Sequence, residues 1–440
     1  RLSGSHQSKI EVVVRKAIHP FIFLTLVVNT LIAFGTEISV APVVDETRRQ
    51  IERIPRNDIW WTVNGKDMLW NFKNLNKLFP TNTIYRNGPV KPLTTTIYPE
   101  IGDLQIQTPS GNKTFVDFLE SDESTAIAVV ILHKGNIVFE HYPRMKPHEK
   151  PVYWSVTKVF VSALIAILEA EEKINIDKPV DFYLPELIGS DYEGILIKNI
   201  LDMATGIKCS EEYIDKSSCY YQYSMAVGDG MWDESSPNNP YQYIAELNVG
   251  RYNEQGKQFD YSGVNTFVLG WLVEKITGMQ LQDALSEMIW TNIGAESDAA
   301  IFAPRYGVPV MHGGLLARPR DVARFGLLFT PSYQVVSDER LISDRHIYTL
   351  MYEGRPELMR NQGIPMDVAG WAIKHNIYQW DMVFENNDIY KGGWAGQGLI
   401  VNPEKDIVAV WNGYFKDDNR SEVKLTPIIR RAIDLIGSDQ

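Results

Sequence analysis

Hydrophobic positions along the chain fall into sharply different patterns. Thr125 to His133 is apolar on both faces, and Ile137 to Tyr142 follows across Lys134-Gly135-Asn136. This pair reads as a β-hairpin whose first strand is central in its sheet. After a loop bearing Pro143, Pro147 and Pro151, Val159 to Leu168 is a near-continuous apolar run. It predicts a buried central helix with only its N-terminal turn reaching a cleft. From Lys173 to about Ile364 the pattern becomes helix and loop. Ile197 to Met203 reads as a short helix ended by Gly206, Thr266 to Thr277 as one stopped by Gly278, and Arg320 to Phe329 as another. Strands return at Val368–Lys374, Met382–Tyr390, Gly398–Val401 and Ile407–Trp411, and a helix over Leu425–Ile436 closes the chain.

This order predicts an α+β fold: one antiparallel sheet flanked by helices and built from residues 116–172 and 365–440, with a large, mostly helical domain inserted at 173–364. The long Gly-, Asn- and Pro-bearing stretch 208–240 has the character of a lid, and the cleft between sheet and insertion is the expected site. Residues 43–115 form an aromatic-rich arm, in which Trp60, Trp61, Trp70, Phe72, Phe79 and Tyr85 read as buried anchors.

The first 42 residues change the picture. Lys9, Arg15 and Lys16 precede the apolar run Phe21–Phe34, and Ser39-Val40-Ala41 follows. The segment reads as an export signal or a membrane anchor, with an amphipathic membrane contact or a helix packed on protein as alternatives. Basic residues before the run and Glu37, Asp45 and Glu46 after it put the body outside the cytoplasm. The net charge of -12 argues against nucleic acid as a partner. Cys209 and Cys219 are the only cysteines. In an exported protein they are a disulfide pair and in a cytoplasmic one free thiols; without a nearby His pair they are no zinc site.

Candidate chemistry centres on Ser155 and Lys158. Three apart on a helical turn, they share a face, so the amine reaches the hydroxyl as its base and no histidine is needed. The spacing recurs at Ser110/Lys113, in a Gly-Asn turn, and at Ser421/Lys424, in a charged tail. Only Ser155 opens an apolar helix, where desolvation favours a neutral amine. The plainer reading makes Ser155 an N-cap and Lys158 an exposed first-turn residue, although the helix dipole disfavours a cation there. Two more stretches join in. Phe259-Asp260-Tyr261-Ser262-Gly263-Val264-Asn265 can place a phenol in the cleft. Tyr390-Lys391-Gly392-Gly393-Trp394-Ala395-Gly396-Gln397, preceding a strand, offers small residues beside which a substrate can approach the backbone.

As an ordered set, Ser155-x-x-Lys158, Tyr261-Ser262-Gly263 and Lys391-Gly392-Gly393 resemble the motifs of the serine β-lactamase and penicillin-binding-protein superfamily. Leu201 to Tyr213, Tyr261 to Thr266, Arg318 to Leu328 and Gly396-Gln397 are most similar to its class C-related esterases and amidases, particularly the 6-aminohexanoate-dimer hydrolase group. The resemblance covers about Thr125 to Ile436. It implies the β-lactamase/transpeptidase-like fold, Ser155 as acylated nucleophile, Lys158 as general base and Tyr261 as proton shuttle. The backbone N–H groups of Ser155 and Trp394 would form the oxyanion hole, and Tyr213, Lys391, Gly392 and Gly393 would contact substrate. Gly263 and Gly392 stand where lactam-binding members carry Asn and Thr, so an ester or amide is favoured over a β-lactam.

No Gly-x-Ser-x-Gly elbow or His-Glu-x-x-His occurs. His141 and His148 read as surface or packing residues, and His312, before Gly313-Gly314, as a structural turn residue, with a place lining the cleft as the alternative. Glu211, Asp215, Asp229, Asp233 and Glu234 give the lid an acidic lean that suits a solvated loop or a cationic substrate. The sequence therefore points to a serine hydrolase acting on a small or oligomeric ester or amide without metal or cofactor. A catalytically silent, membrane-associated binder of peptidoglycan fragments is the competing class; a D-alanyl-D-alanine carboxypeptidase or β-lactamase is the competing enzyme.

Overall fold

The main sheet has eight antiparallel strands in the order Asn136–His141, Ala128–His133, Ile407–Asn412, Gln397–Asn402, Ile389–Gly393, Trp380–Phe384, Trp371–Ile377 and Asp367–Val368. It is seen in a computed structural model that describes residues 48–52 and 63–436. The expected export or anchor segment, Trp60 and Trp61 lie outside the described residues. Among the described residues no helix is long and apolar enough to cross a membrane.

The Ala128–His133 strand is buried on both faces because alternate residues enter different cores. Ala128, Val130 and Leu132 face the larger core, and Val129 and Ile131 the smaller. It is nevertheless second from the edge, not central: an apolar strand reports cover on both faces, and the rank of a strand in its sheet is a separate matter. The larger core holds the helices Thr157–Ala170 and Pro319–Leu327; the smaller holds Phe115–Glu120 and Leu425–Asp434.

Several expected elements differ. Met382–Tyr390 is not one strand but the end of one, a turn at Glu385-Asn386-Asn387-Asp388 and the start of the next. Asn387 takes a left-handed φ of 63°, which asparagine tolerates better than most residues. Lys391-Gly392-Gly393 accordingly lies inside the Ile389–Gly393 strand rather than before one. The Gly263–Thr277 helix starts earlier than expected because Ser262 caps it, its Oγ accepting from the N–H of Val264. The 208–240 stretch is more than a loop, for it contains the helix Cys219–Val227, capped by Ser218 and ended by Gly228.

In the arm, the Gly65–Leu78 helix buries Met68, Phe72 and Leu75, and Thr81–Ile84 pairs with Ala299–Phe302 of the insertion. Tyr85 is not an anchor; just past the strand end, it is 60% exposed. Phe72 meets Trp154 edge-on with centroids 5.6 Å apart, and its carbonyl accepts from the N–H of Val152 at 2.9 Å. The arm thus buttresses the turn that carries Ser155.

Candidate active site

Ser155 sits in a 3-10 turn, Trp154–Val156, that runs directly into the Thr157–Ala170 helix. Trp154 holds a φ of 46°, an uncommon conformation for a bulky residue. Both parts of the plainer reading fail here. The helix has no side-chain N-cap, and Lys158 is wholly buried. Its ammonium donates to Ser155 Oγ at 3.0 Å, to the His312 carbonyl at 3.0 Å and to Glu211 Oε1 at 3.4 Å. An amine with three such acceptors is held in place by contacts from three separate parts of the chain.

Tyr261 lies between two lysines, with Lys158 Nζ 4.8 Å and Lys391 Nζ 4.7 Å from its ring centroid. Its hydroxyl accepts from Lys391 Nζ at 3.0 Å. Burial, reinforced by the negative charges of Asp381 and Glu211, pushes this phenol well above its usual range. The group therefore keeps its proton at neutral pH and suits relay rather than a standing phenolate. Lys391 is fully buried, and burial lowers it to about 8.

Trp394 follows the strand end. Among the described residues its backbone N–H has no acceptor, so it is open to a developing oxyanion. Two features place it. A Cβ on Gly393 would come within 2.5 Å of the Tyr153 carbonyl, so only glycine lets the strand approach the Ser155 turn this closely. The Gln397 amide then ties the following turn, donating to the carbonyls of Trp394 and Gly413 at 2.8 Å each.

Sequence reasoning placed Glu211 in a solvated loop or against a cationic substrate. Instead it lies beside Lys158 and accepts from the Tyr213 hydroxyl. The signal was available in the Cys209–Cys219 spacing: the two cysteines are joined as a disulfide, closing a ring that contains both Glu211 and Tyr213. Replacing both cysteines by serine is expected to cost about 2–3 kcal/mol of stability, the loop-closure entropy of so short a ring. It should also raise KM, since Tyr213 then samples more positions. Urea unfolding beside steady-state kinetics checks both; an unchanged KM would show that the ring does not position Tyr213.

His312 is more than a turn residue. It is buried, its Nδ1 bonded to the Tyr223 hydroxyl at 2.8 Å and its Nε2 to Asp229 at 2.9 Å, so Asp229 too leaves the solvated loop. A Cβ at Gly263 would meet the His312 ring at 2.9 Å and the Tyr220 hydroxyl at 3.0 Å. The space an Asn side chain would need there is filled by this network. The slot at Ser155 is narrow, about 20 Å³, and is bordered by Glu211, Tyr213, His312 and Trp394. Tyr213 and Trp394 also border a wider outer groove of about 350 Å³ that runs to Phe415 and Arg420.

The Beta-lactamase family profile matches residues 112–430. A 6-aminohexanoate-dimer hydrolase of Paenarthrobacter ureafaciens is 27% identical over 345 residues, 78% of this chain and 84% of that protein. Among solved structures, a candidate 6-aminohexanoate-dimer hydrolase of Bacillus anthracis superposes with a TM-score of 0.72 at 21% identity, covering 88% of this chain and 97% of that one. A family VIII carboxylesterase superposes with a TM-score of 0.51 at 15% identity, over 72% and 95% of the two chains. With the profile spanning the sheet, the insertion and all three motif stretches, the chain belongs to the Beta-lactamase family of serine hydrolases.

Proposed function

We propose that the protein cleaves an ester or amide of a small or oligomeric substrate through an acyl-enzyme on Ser155. The observation that carries this reading is a wholly buried Lys158 with Nζ 3.0 Å from Ser155 Oγ. In its neutral form Lys158 takes the Ser155 proton as Oγ attacks the carbonyl carbon, and the carbonyl oxygen becomes an oxyanion facing the N–H groups of Ser155 and Trp394. Tyr261 hands a proton to the leaving alkoxide or amine and is resupplied from Lys158. Water then repeats the attack on the acyl carbon, and Ser155 leaves with its proton restored. Tyr213, next to Trp394 with ring centroids 5.2 Å apart, borders the path of the leaving group. Similarity to a protein named as a 6-aminohexanoate-dimer hydrolase favours amides among the substrates. The filled space at Gly263 disfavours β-lactams.

The body acts outside the cytoplasm on this reading, supported by the basic-then-apolar N-terminal sequence and by the joined cysteines. A fluorophosphonate probe is expected to modify Ser155, located by peptide mapping. p-Nitrophenyl esters and aminohexanoate dimers should be turned over faster than nitrocefin or D-Ala-D-Ala peptides. Labelling elsewhere, or none with no turnover, would leave the silent binding protein; fast nitrocefin hydrolysis would return the β-lactamase.

A further inference from the structure

Beside Tyr261 the fold builds a two-donor site for a carboxylate and fills it from within. The Trp380–Phe384 and Ile389–Gly393 strands pair through Met382 opposite Tyr390. Past that pair, the N–H of Gly392 donates to Asp381 Oδ2 at 2.9 Å instead of to a backbone carbonyl. The other oxygen, Oδ1, accepts from Lys391 Nζ at 2.5 Å. One ammonium and one amide N–H, each on its own oxygen, make a bidentate carboxylate receptor. Its ammonium also bonds the Tyr261 hydroxyl, and Lys158, whose Nζ bonds Ser155 Oγ, lies 4.8 Å from the same tyrosine ring, so the receptor borders the reacting centre. Lys391 is fully buried, while the Asp381 side chain keeps 22% of its surface exposed. The anion is thus the part of the pair reachable from solvent. A Cβ at Gly392 would lie 2.6 Å from the Tyr390 hydroxyl and 3.5 Å from Asp381 Oδ2, so a larger residue would disturb the carboxylate's seat.

We propose that Asp381 is a specificity-determining residue. It occupies the anion receptor formed by Lys391 and the Gly392 amide, so the enzyme takes acyl donors that are uncharged near the scissile bond and rejects those bearing a carboxylate there. The inference rests on the Ser155 hydrolase reading for its consequence but on the Asp381 geometry for its site. A substrate carboxylate entering here meets an occupied cation and a like charge, and both effects oppose binding. Without Asp381 the Gly392 amide loses its acceptor and the buried Lys391 ammonium its counter-charge, keeping only the neutral Tyr261 hydroxyl, which makes an external carboxylate the favoured occupant.

The test compares p-nitrophenyl valerate with the mono-p-nitrophenyl ester of adipic acid, using the wild type, Asp381→Ala and Asp381→Asn. The kcat/KM ratio of anionic to neutral ester is expected to rise at least about tenfold in Asp381→Ala, the worth of one charge-assisted hydrogen bond, and in the same direction in Asp381→Asn. Formate, small enough to refill the receptor, should raise the melting temperature of Asp381→Ala more than that of the wild type, and adding Lys391→Met should remove the difference. An unchanged ester ratio in active variants would overturn the assignment. So would formate stabilisation no greater than in the wild type, or one that persists without Lys391. Absence of valerate hydrolysis by the wild type would instead bring down the hydrolase reading, and the formate melts would still decide the site.

Discussion

Ser155→Ala and Lys158→Met are each expected to lower kcat/KM for a p-nitrophenyl ester by on the order of 10⁴- to 10⁶-fold, and the double variant no further than either single. Both side chains serve one step, in which the bond from Ser155 Oγ to carbon forms as the proton moves to Lys158 Nζ over 3.0 Å. Removing either abolishes the step, so their effects do not add. Lys158→Arg should fail as badly, because a guanidinium does not give up its proton and so cannot accept one from serine. Residual turnover in all of these would come from the oxyanion hole and binding alone. Steady-state kinetics together with fluorophosphonate labelling measures this. A double variant far below both singles would mean that Ser155 and Lys158 act in separate steps.

Arg324→Met is expected to destabilise the fold by about 3–5 kcal/mol, the cost of leaving a buried partner charge uncompensated. Arg324 and Asp321 lie one turn apart on the Pro319–Leu327 helix, and neither side chain has solvent exposure. The guanidinium bonds Asp321 Oδ1 at 3.2 Å, Glu296 Oε1 at 3.1 Å and the Lys91 carbonyl at 3.0 Å, joining helix, insertion and arm. Even so, burial raises the Asp321 carboxyl from 3.8 to about 6. A carboxyl raised on folding binds its proton more tightly in the folded state. Its contribution to stability is therefore most favourable below 3.8 and falls as pH rises through about 6. Without Arg324 the carboxyl rises further, so the variant's deficit should be larger at pH 8 than at pH 5. Asp321→Asn should recover part of it. Urea unfolding at the two pH values tests this, and an equal deficit at both would mean that Asp321 is not the group left uncompensated.

Both predictions depend on different amounts of structural information. Ser155 and Lys158 were legible as a pair because helical spacing brings residues three apart onto one face, and the apolar run after them marked the helix as buried. Arg324 and Asp321 share the same spacing, yet their sequence carries no mark of burial, since the neutralising contacts from Glu296 and Lys91 come from distant segments.

The same division holds for the rest of the molecule. By itself the sequence determined what local pattern encodes: the first hairpin, the nucleophile helix, the ordered motif stretches at Ser155, Tyr261 and Lys391, and from them the fold and family. Tertiary structure alone decided what depends on long-range neighbours. Lys158 meets the carbonyl of His312, 154 residues away. Glu211 leaves solvent because the ring closed by Cys209 and Cys219 turns it inward. Lys391 becomes a buried, already neutralised cation only once the turn at Asn387 folds Asp381 back onto it. Periodicity records which side of an element is covered. It carries no record of which distant polar atom does the covering, and the charge, reach and selectivity of this site depend on those atoms.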